Sequence, residues 1–430
     1  MRAIFFAITV PLFLFSCATE KTKQPQDEEN LSDNSLLGEV EEPLNEDSTL
    51  GEDDTAEDAI TVDESLDTVN ETSSEEENDP FTDTEETVSD ADGEPVIPFG
   101  CLQGTFTPYF GNFHSHTSNS DGEGDPDTAF AYARDVGGLD ILAVTDHLEQ
   151  LYYYYTGVPS DEYPKCRASA VAASTGTFLG ICGYEYGSAR MPNLIESAGH
   201  SNVFFNDKLF PMVQTDFHDY YASVAACPQC ITQFNHPGDE SLNQTFNHFE
   251  FDPSVYQQMA LYEFNGAGPV WDLFFEALAA GWWLSPAFNQ DNHSANWGTA
   301  NDNRTGVFMA SLDIQSLYDA FAQRRTFAAS DKNAVIIFMA QDVCWMGSRL
   351  SGRSHYTLTV SVSDPDEGDT FDTIELYDPL KNPIAVHDCG ASPSCKFSFD
   401  LMVTMPTYVV SRAVQSDGQI IVAAPIWMTP

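Results

Sequence analysis

His114-Ser115-His116-Thr117-Ser118-Asn119-Ser120-Asp121-Gly122 is the stretch on which the reading of this chain turns. The residues before it, Tyr109–His114, have the character of a strand, and the Ser/Asn/Asp/Gly run after it ends that strand in a turn. Side chains two apart on extended backbone fall on one face, so His114 and His116 point the same way. Imidazoles held on one face, with carboxylates gathered beside them, suit zinc, manganese or iron. A single His-x-His arises often by chance, so the weight comes from what surrounds it.

Moving outward, further strand-like runs are Leu139–Thr145, Thr177–Tyr184, Ser201–Phe205, Ile231–Asn235, Ala260–Phe264 and Trp283–Asn289. Helical patterns fall between several of them. Asp125-Pro126 opens one as N-cap and first residue, Gly137-Gly138 closes it, and Ala129, Phe130 and Ala133 form its inner face. Others are Asp216–Ala226, Val270–Ala280 and Asp313–Arg324. This alternation predicts an α/β barrel or a doubly wound sheet. Ligand-type residues recur at the strand ends: Asp146-His147, Glu185, His200, Asn235-His236-Pro237 and Asp291-Asn292-His293. In an α/β barrel such ends converge on one mouth. Glu263, ending the sixth strand, is a supporting candidate there. After residue 340 the pattern becomes short alternating strands, which predicts a small β-sandwich.

Taken in order, His114-Ser-His116…Asp121-Gly122, Gly138-Leu-Asp140, Thr145-Asp146-His147, Gly183-Tyr-Glu185, Gly199-His200-Ser-Asn202, Asn235-His236-Pro237 and Asp291-Asn-His293 resemble the PHP (polymerase and histidinol phosphatase) superfamily over about residues 108–330. Phe264-Asn265-Gly266, Trp297-Gly298 and Thr326-Phe-Ala-Ala-Ser-Asp331 are most similar to its CehA/McbA-like branch, which includes phosphoesterases and carbamate hydrolases. The resemblance implies a distorted (β/α)7 barrel with two or three divalent metal ions (Mn, Fe or Zn) at its mouth. It implies one metal on His114, His116, Glu185 and Asp291, a second sharing Glu185 with His200 and His236, and a third on Asp121, His147 and His293. Glu185 would be the bridging carboxylate. Many relatives carry His where Asp121 stands.

Such a centre neutralises an anionic transition state and supplies a metal-bridging hydroxide near neutral pH, which attacks phosphorus or a carbonyl carbon. The catalytic candidates are Glu185 and Asp146. Asp146 would orient an imidazole or relay a proton, and capping the next turn is its competing role. Arg304 and Lys165 are the basic residues nearest the mouth loops in sequence, as weak substrate candidates, a surface ion pair being the competing and favoured reading of each. The expected function is hydrolysis of a phosphomonoester or small diester. The alternatives are hydrolysis of a carbamate, amide or ester bond at the same centre, a 5′–3′ exonuclease-like phosphodiesterase, and a non-catalytic binding module. Gly199-His-Ser201-Asn-Val203 lacks the last glycine of a nucleophile elbow, which leaves serine hydrolysis without support.

Composition limits the partners. The formal net charge is −50: residues 18–100 carry −27, residues 101–430 carry −24, and Arg2 adds +1. Long nucleic acid is therefore not an expected partner, whereas a small ester substrate is. Arg2 and the apolar run Ala3–Phe15 read as a signal segment, and Leu14-Phe15-Ser16-Cys17 resembles a bacterial lipobox. That resemblance implies cleavage before Cys17, a lipid anchor on it, and an exported, membrane-attached protein. Ala18 gives no aspartate for inner-membrane retention, so the outer membrane or cell surface is expected. The resulting division is 1–17 signal, 18–98 disordered acidic linker, 99–340 barrel and 341–430 sandwich. Eight cysteines remain beside Cys17, an even number that predicts disulfides, with Cys389–Cys395 the best pair and Cys227–Cys230 a local one.

Overall fold

The computed structural model describes residues 100–153, 157–187, 199–212, 217–238, 244–265 and 269–430. The signal-like segment, Cys17, the 18–98 stretch and Gly266 lie outside the described residues. The fold is mixed α/β with large sheets and few helices.

The strand ahead of the His-x-His stretch is β1 (Thr107–Asn112). It pairs in parallel with β2 (Ile141–Val144), which pairs in parallel with β3 (Leu179–Cys182). β2 reads Ile-Leu-Ala-Val and is buried at all four positions, as a parallel strand covered on both faces must be. Helix α1 (Pro126–Asp135) connects β1 to β2. Asp125 Oδ1 accepts from Thr128 N at 2.8 Å, Pro126 fills the first turn, and Ala129, Phe130 and Ala133 are buried. Helix α2 (Glu162–Ala173) precedes β3. Its apolar residues do not gather into one stripe, which is why periodicity passes over it; the Cys166–Cys182 disulfide pins it to β3 instead.

A second sheet holds β4 (Tyr184–Tyr186), β5 (Ser201–Phe204), β6 (Ile231–Phe234), β7 (Met259–Glu263) and β8 (Ser285–Ala287) in that order. Helix α3 (Phe217–Ala225), the single left-handed turn α4 (Phe246–Phe249) and helix α5 (Val270–Ala279) lie along its connections. β6, β7 and β8 are parallel, but β4/β5 and β5/β6 are antiparallel. The regular alternation read from the sequence breaks here. β4 follows β3 after Gly183 alone, where a Cβ would stand 2.4 Å from the Val203 carbonyl oxygen. Two parallel bridges, Ser115–Asn292 and His147–Glu185, link the sheets beyond their strand ends.

β9 (Arg304–Met309) is antiparallel to β1 and to β10 (Thr326–Ala329), with α6 (Ile314–Ala322) between β9 and β10. Gly306 sits opposite Phe327, and any side chain there would collide with the ring. The remaining strands are β11 (Val335–Ala340), β12 (Cys344–Trp345), β13 (Arg349–Leu350), β14 (His355–Ser363), β15 (Phe371–Tyr377), β16 (Pro383–Ser392), β17 (Ser394–Met402), β18 (Thr407–Gln415), β19 (Ile420–Ala423) and β20 (Ile426–Met428). β12-β11-β14-β17 make one sheet, and β11 therefore belongs with the strands after residue 340. The others extend the sheet of β1, because β19 pairs with β10. Ile336, Phe338, Leu358 and Val360 from the first set share one core with Ile374, Leu376, Val409 and Ile421 from the second. Strands after residue 340 are thus continuous with the sheet of β1.

Cys389–Cys395 and Cys227–Cys230 pair as expected, and the other two disulfides are Cys101–Cys344 and Cys166–Cys182. Among the described residues, no helix is long and apolar enough to cross a membrane.

Candidate metal centre

Backbone pairing brings the ligand-type residues together. Asp291 N donates to His114 O at 3.0 Å and His116 N to Asn292 O at 3.1 Å, so two neighbouring segments present their side chains side by side. Glu185 N donates to Asp146 O at 3.0 Å, which sets Glu185 beside His147. His200 precedes β5, and because β5 runs antiparallel to its neighbours, its start lies at the edge where β6 ends in Asn235-His236. Asn235 N donates to His200 O at 3.1 Å.

All nine expected ligand residues converge, in three groups whose ligand atoms lie within 4.8 Å of one another: His114, His116, Glu185 and Asp291; Glu185, His200 and His236; and His116, Asp121, His147 and His293. Glu185 is the hub. Its Oε1 lies 3.3 Å from His114 Nε2, 3.1 Å from His200 Nδ1 and 3.2 Å from His236 Nε2. Its Oε2 lies 3.4 Å from His116 Nε2 and 3.1 Å from His147 Nδ1. Asp291 Oδ1 is 3.2 Å from both His114 Nε2 and His116 Nε2. Asp121 Oδ1 is 3.3 Å from His293 Nε2, 3.6 Å from His147 Nε2 and 4.0 Å from His116 Nδ1. His236 and Asp291 both have positive φ, 25° and 46°, a cost borne where side chains must be aimed.

The donor set fits divalent cations. His147 Nδ1 is buried and close to Glu185 Oε2, yet the two meet without hydrogen-bond direction and the nitrogen has no partner. Lone pairs that face a common point rather than each other suit an ion between them. His114 is already oriented for that role. Its Nδ1 is 3.1 Å from Glu263 Oε1, which leaves Nε2 facing Glu185 and Asp291. Glu263 also accepts from His236 N at 2.7 Å and from Asn289 Nδ2 at 3.0 Å.

Electrostatics follow from this crowding. Burial works against a charge on His114, but Asp291, Glu263 and Glu185 together hold its pKa well above the usual imidazole value. His147 and His236 are also raised, against burial, chiefly by Glu185. His116 is lowered, burial being the largest cause. Burial alone would raise Glu185 and Asp291, yet the surrounding imidazoles hold both below the ordinary carboxylate range.

Three further candidates are engaged away from the imidazoles. Asp146 does not touch an imidazole: it accepts from Thr117 N at 2.7 Å, Thr117 Oγ1 at 2.7 Å and Ser120 Oγ at 2.6 Å, so it holds the loop after His116. Its link to the centre is indirect, through Ser120 Oγ, 3.4 Å from His116 Nδ1. Arg304 is buried, and its guanidinium donates to the carbonyls of Gly298, Asn301 and Asn303. Lys165 is an exposed residue of α2 paired with Asp161 at 2.6 Å. His218 and His248 are exposed and face Glu250 and Glu276.

Sequence reasoning missed the amides beneath the centre. Asn235 Nδ2 donates to Glu185 Oε1 at 2.8 Å and to Asn202 Oδ1 at 3.0 Å, while its Oδ1 accepts from Gln233 Nε2 at 2.8 Å. Asn289 bridges Gln233 and Glu263. The available signal was Gln233 and Asn289 standing within or beside apolar strand runs, where a buried amide needs partners. Glu149 was also missed. It lies in the turn after His147, with one buried oxygen lacking a partner and its pKa raised, mainly by burial.

No family model matches the chain, and no curated protein matches it. Among solved structures, it is similar to a two-domain protein of Bacteroides vulgatus described as containing a predicted PHP-like metal-dependent phosphoesterase, at 19% identity over 78% of this chain and 98% of that one, with a TM-score of 0.43. It is also similar to a lesion-specific endonuclease of Pyrococcus furiosus, at 11% identity over 50% of this chain and 56% of that one, with a TM-score of 0.36. Both scores lie below 0.5, so the functional reading rests on the geometry of the centre itself.

Proposed function

We propose that the protein is a metal-dependent phosphoester hydrolase of the PHP type. Its β1–β10 part would be the distorted barrel of that superfamily, and its C-terminal strands a sandwich. The observation that carries this reading is the Glu185 carboxylate, whose two oxygens face five imidazoles within 3.4 Å. A structural ion pair needs one partner; five point to cations between them.

Two or three divalent cations (Mn, Fe or Zn) held there would supply Lewis acidity toward the ester and an ionised water at neutral pH. The chain's own residues do the rest. Glu263 fixes His114 and the His236 backbone, Asn235 fixes Glu185, and Asp146 fixes the Thr117–Ser120 loop through which Asp121 is reached. The acidic body favours a small monoester or diester over a long nucleic acid. Lipid attachment at Cys17 would hold the enzyme at a membrane surface, the outer membrane or cell surface being favoured. A Cys17→Ser chain still found in the membrane fraction would overturn that part.

The test is turnover by the full chain, loaded with each metal, of a phosphodiester, a phosphomonoester and an aryl N-methylcarbamate. Phosphoester turnover lost in both His236→Ala and Asp291→Ala is the expected result. Carbamate turnover alone would transfer the reading to carbonyl-bond hydrolysis. Unchanged phosphoester turnover in both variants would contradict the site.

A further inference from the structure

Asp331 ends the Thr326–Asp331 phrase, and the His-rich centre makes no use of it. Its carboxylate meets those of Asp364 and Asp369, from the β14–β15 loop, with ligand oxygens within 4.8 Å of one another. Asp331 and Asp364 are buried. No Lys or Arg among the described residues is in ion-pair contact with any of the three, and Lys332, the nearest in sequence, turns away to Asp302 at 3.1 Å. Like charges this close repel unless protonated or neutralised by a cation.

A second observation is independent of the carboxylates. Gln415, at the end of β18, is 2% exposed, and its amide is directed at the cluster through a 2.8 Å bond from Nε2 to Asp364 Oδ2. Its Oε1 is buried and has no partner. Asn333 Oδ1 and Gln419 Oε1, on the turns that follow Asp331 and Gln415, are likewise buried without partners. The amide that holds Asp364 thus leaves its own oxygen buried without a donor, which is costly unless a donor or a cation meets it.

We infer that Asp331, Asp364, Asp369 and the Gln415 amide oxygen form a second cation site, selective for calcium and separate from the His-rich centre. The donors are all oxygens, with no imidazole or thiolate, which favours a hard ion over zinc or iron. Calcium takes about 6–8 oxygens at ~2.3–2.6 Å, so these four leave room for backbone carbonyls or water. The ligands come from three distant stretches of chain. Asp331 follows β10, which pairs with β9 beside β1, whereas Asp364, Asp369 and Gln415 belong to the C-terminal strands. The ion would therefore fasten the C-terminal strands to the sheet that leads to His114.

The test is thermal unfolding of the full chain, stripped with a chelator, with and without calcium alone. Wild type and His236→Ala should both gain at least about 3 °C at calcium a hundredfold above Kd. Asp369→Ala, at a partly exposed position, should keep the calcium-free Tm, lose that gain, and bind one calcium fewer by equilibrium dialysis. A wild type with no gain, or an Asp369→Ala chain with the full gain, would overturn the site. The His236→Ala arm separates this outcome from failure of the proposed hydrolase centre.

Discussion

The centre has a floor and a rim, and they are built differently. His114, His116 and Glu185 have side chains at most 1% exposed, whereas His293 and Asp121 are 39% and 49% exposed. The floor is locked by buried carboxylate and amide partners: Glu263 on His114, Asn235 on Glu185, Asn289 on Glu263. The rim has a looser frame, the Thr117–Ser120 loop that Asp146 holds. Pre-organised donors bind an ion without rearranging, while exposed donors must be ordered first. The two floor groups should therefore fill before the rim group of Asp121, His147 and His293, which makes the third ion the weakest.

The comparison can be broken by substitution. Glu185→Gln keeps the shape but removes the charge shared by five imidazoles, and kcat/KM toward the preferred ester should fall by about 10³-fold or more. A loss below about tenfold would mean that the floor does not carry the chemistry.

A pH series gives the next largest effect. His114, His147 and His236 have folded pKa values above the unfolded imidazole value. In the metal-free protein their stabilising contribution is fully present below pH ~6.5 and lost as pH rises through the raised values. Glu185 and Asp291 act oppositely: their contribution is present above the unfolded carboxylate pKa and lost as pH falls through their depressed values. Metal must displace the histidine protons, so its affinity should climb about tenfold per pH unit for each proton released above pH ~6.5. A pH-independent affinity between pH 6.5 and 9, measured by competition with a chelator, would show that these imidazoles are not ligands.

Glu263→Gln tests the support of the floor. Metal affinity should drop about 10–100-fold while the fold survives, with circular dichroism unchanged. Asp121→Ala tests the rim and should be mildest, with less than about tenfold loss in kcat/KM and one ion fewer per chain at limiting metal. If Asp121→Ala proves as severe as Glu185→Gln, the distinction between floor and rim fails.

What could be read from the sequence was what strand chemistry dictates. A ligand at a strand end is set by period-2 geometry and by the turn after it, so His114, His116, Asp291 and His293 were visible as pairs, and Asp125-Pro126 marked α1. The direction of a single carboxylate was not visible, because Asp146 chooses between an imidazole and a loop by contacts with Thr117 and Ser120, 29 and 26 residues away. The antiparallel course of β5 was hidden as well, since an apolar run carries no sign of its direction, and β9 was not read as a strand. β16 escaped because its exposed, polar positions lack a buried face, and Asn289 because a buried amide looks like any loop asparagine until its partners are known.

The central claim is that Glu185 gathers metal ions rather than merely neutralising imidazoles. Elemental analysis of the full chain after loading with Mn, Fe or Zn and removal of excess metal tests it most directly. The account predicts at least two ions per chain in the wild type and fewer than one in Glu185→Gln. A wild type below one equivalent with every metal, or a Glu185→Gln chain that keeps the full complement, would contradict it.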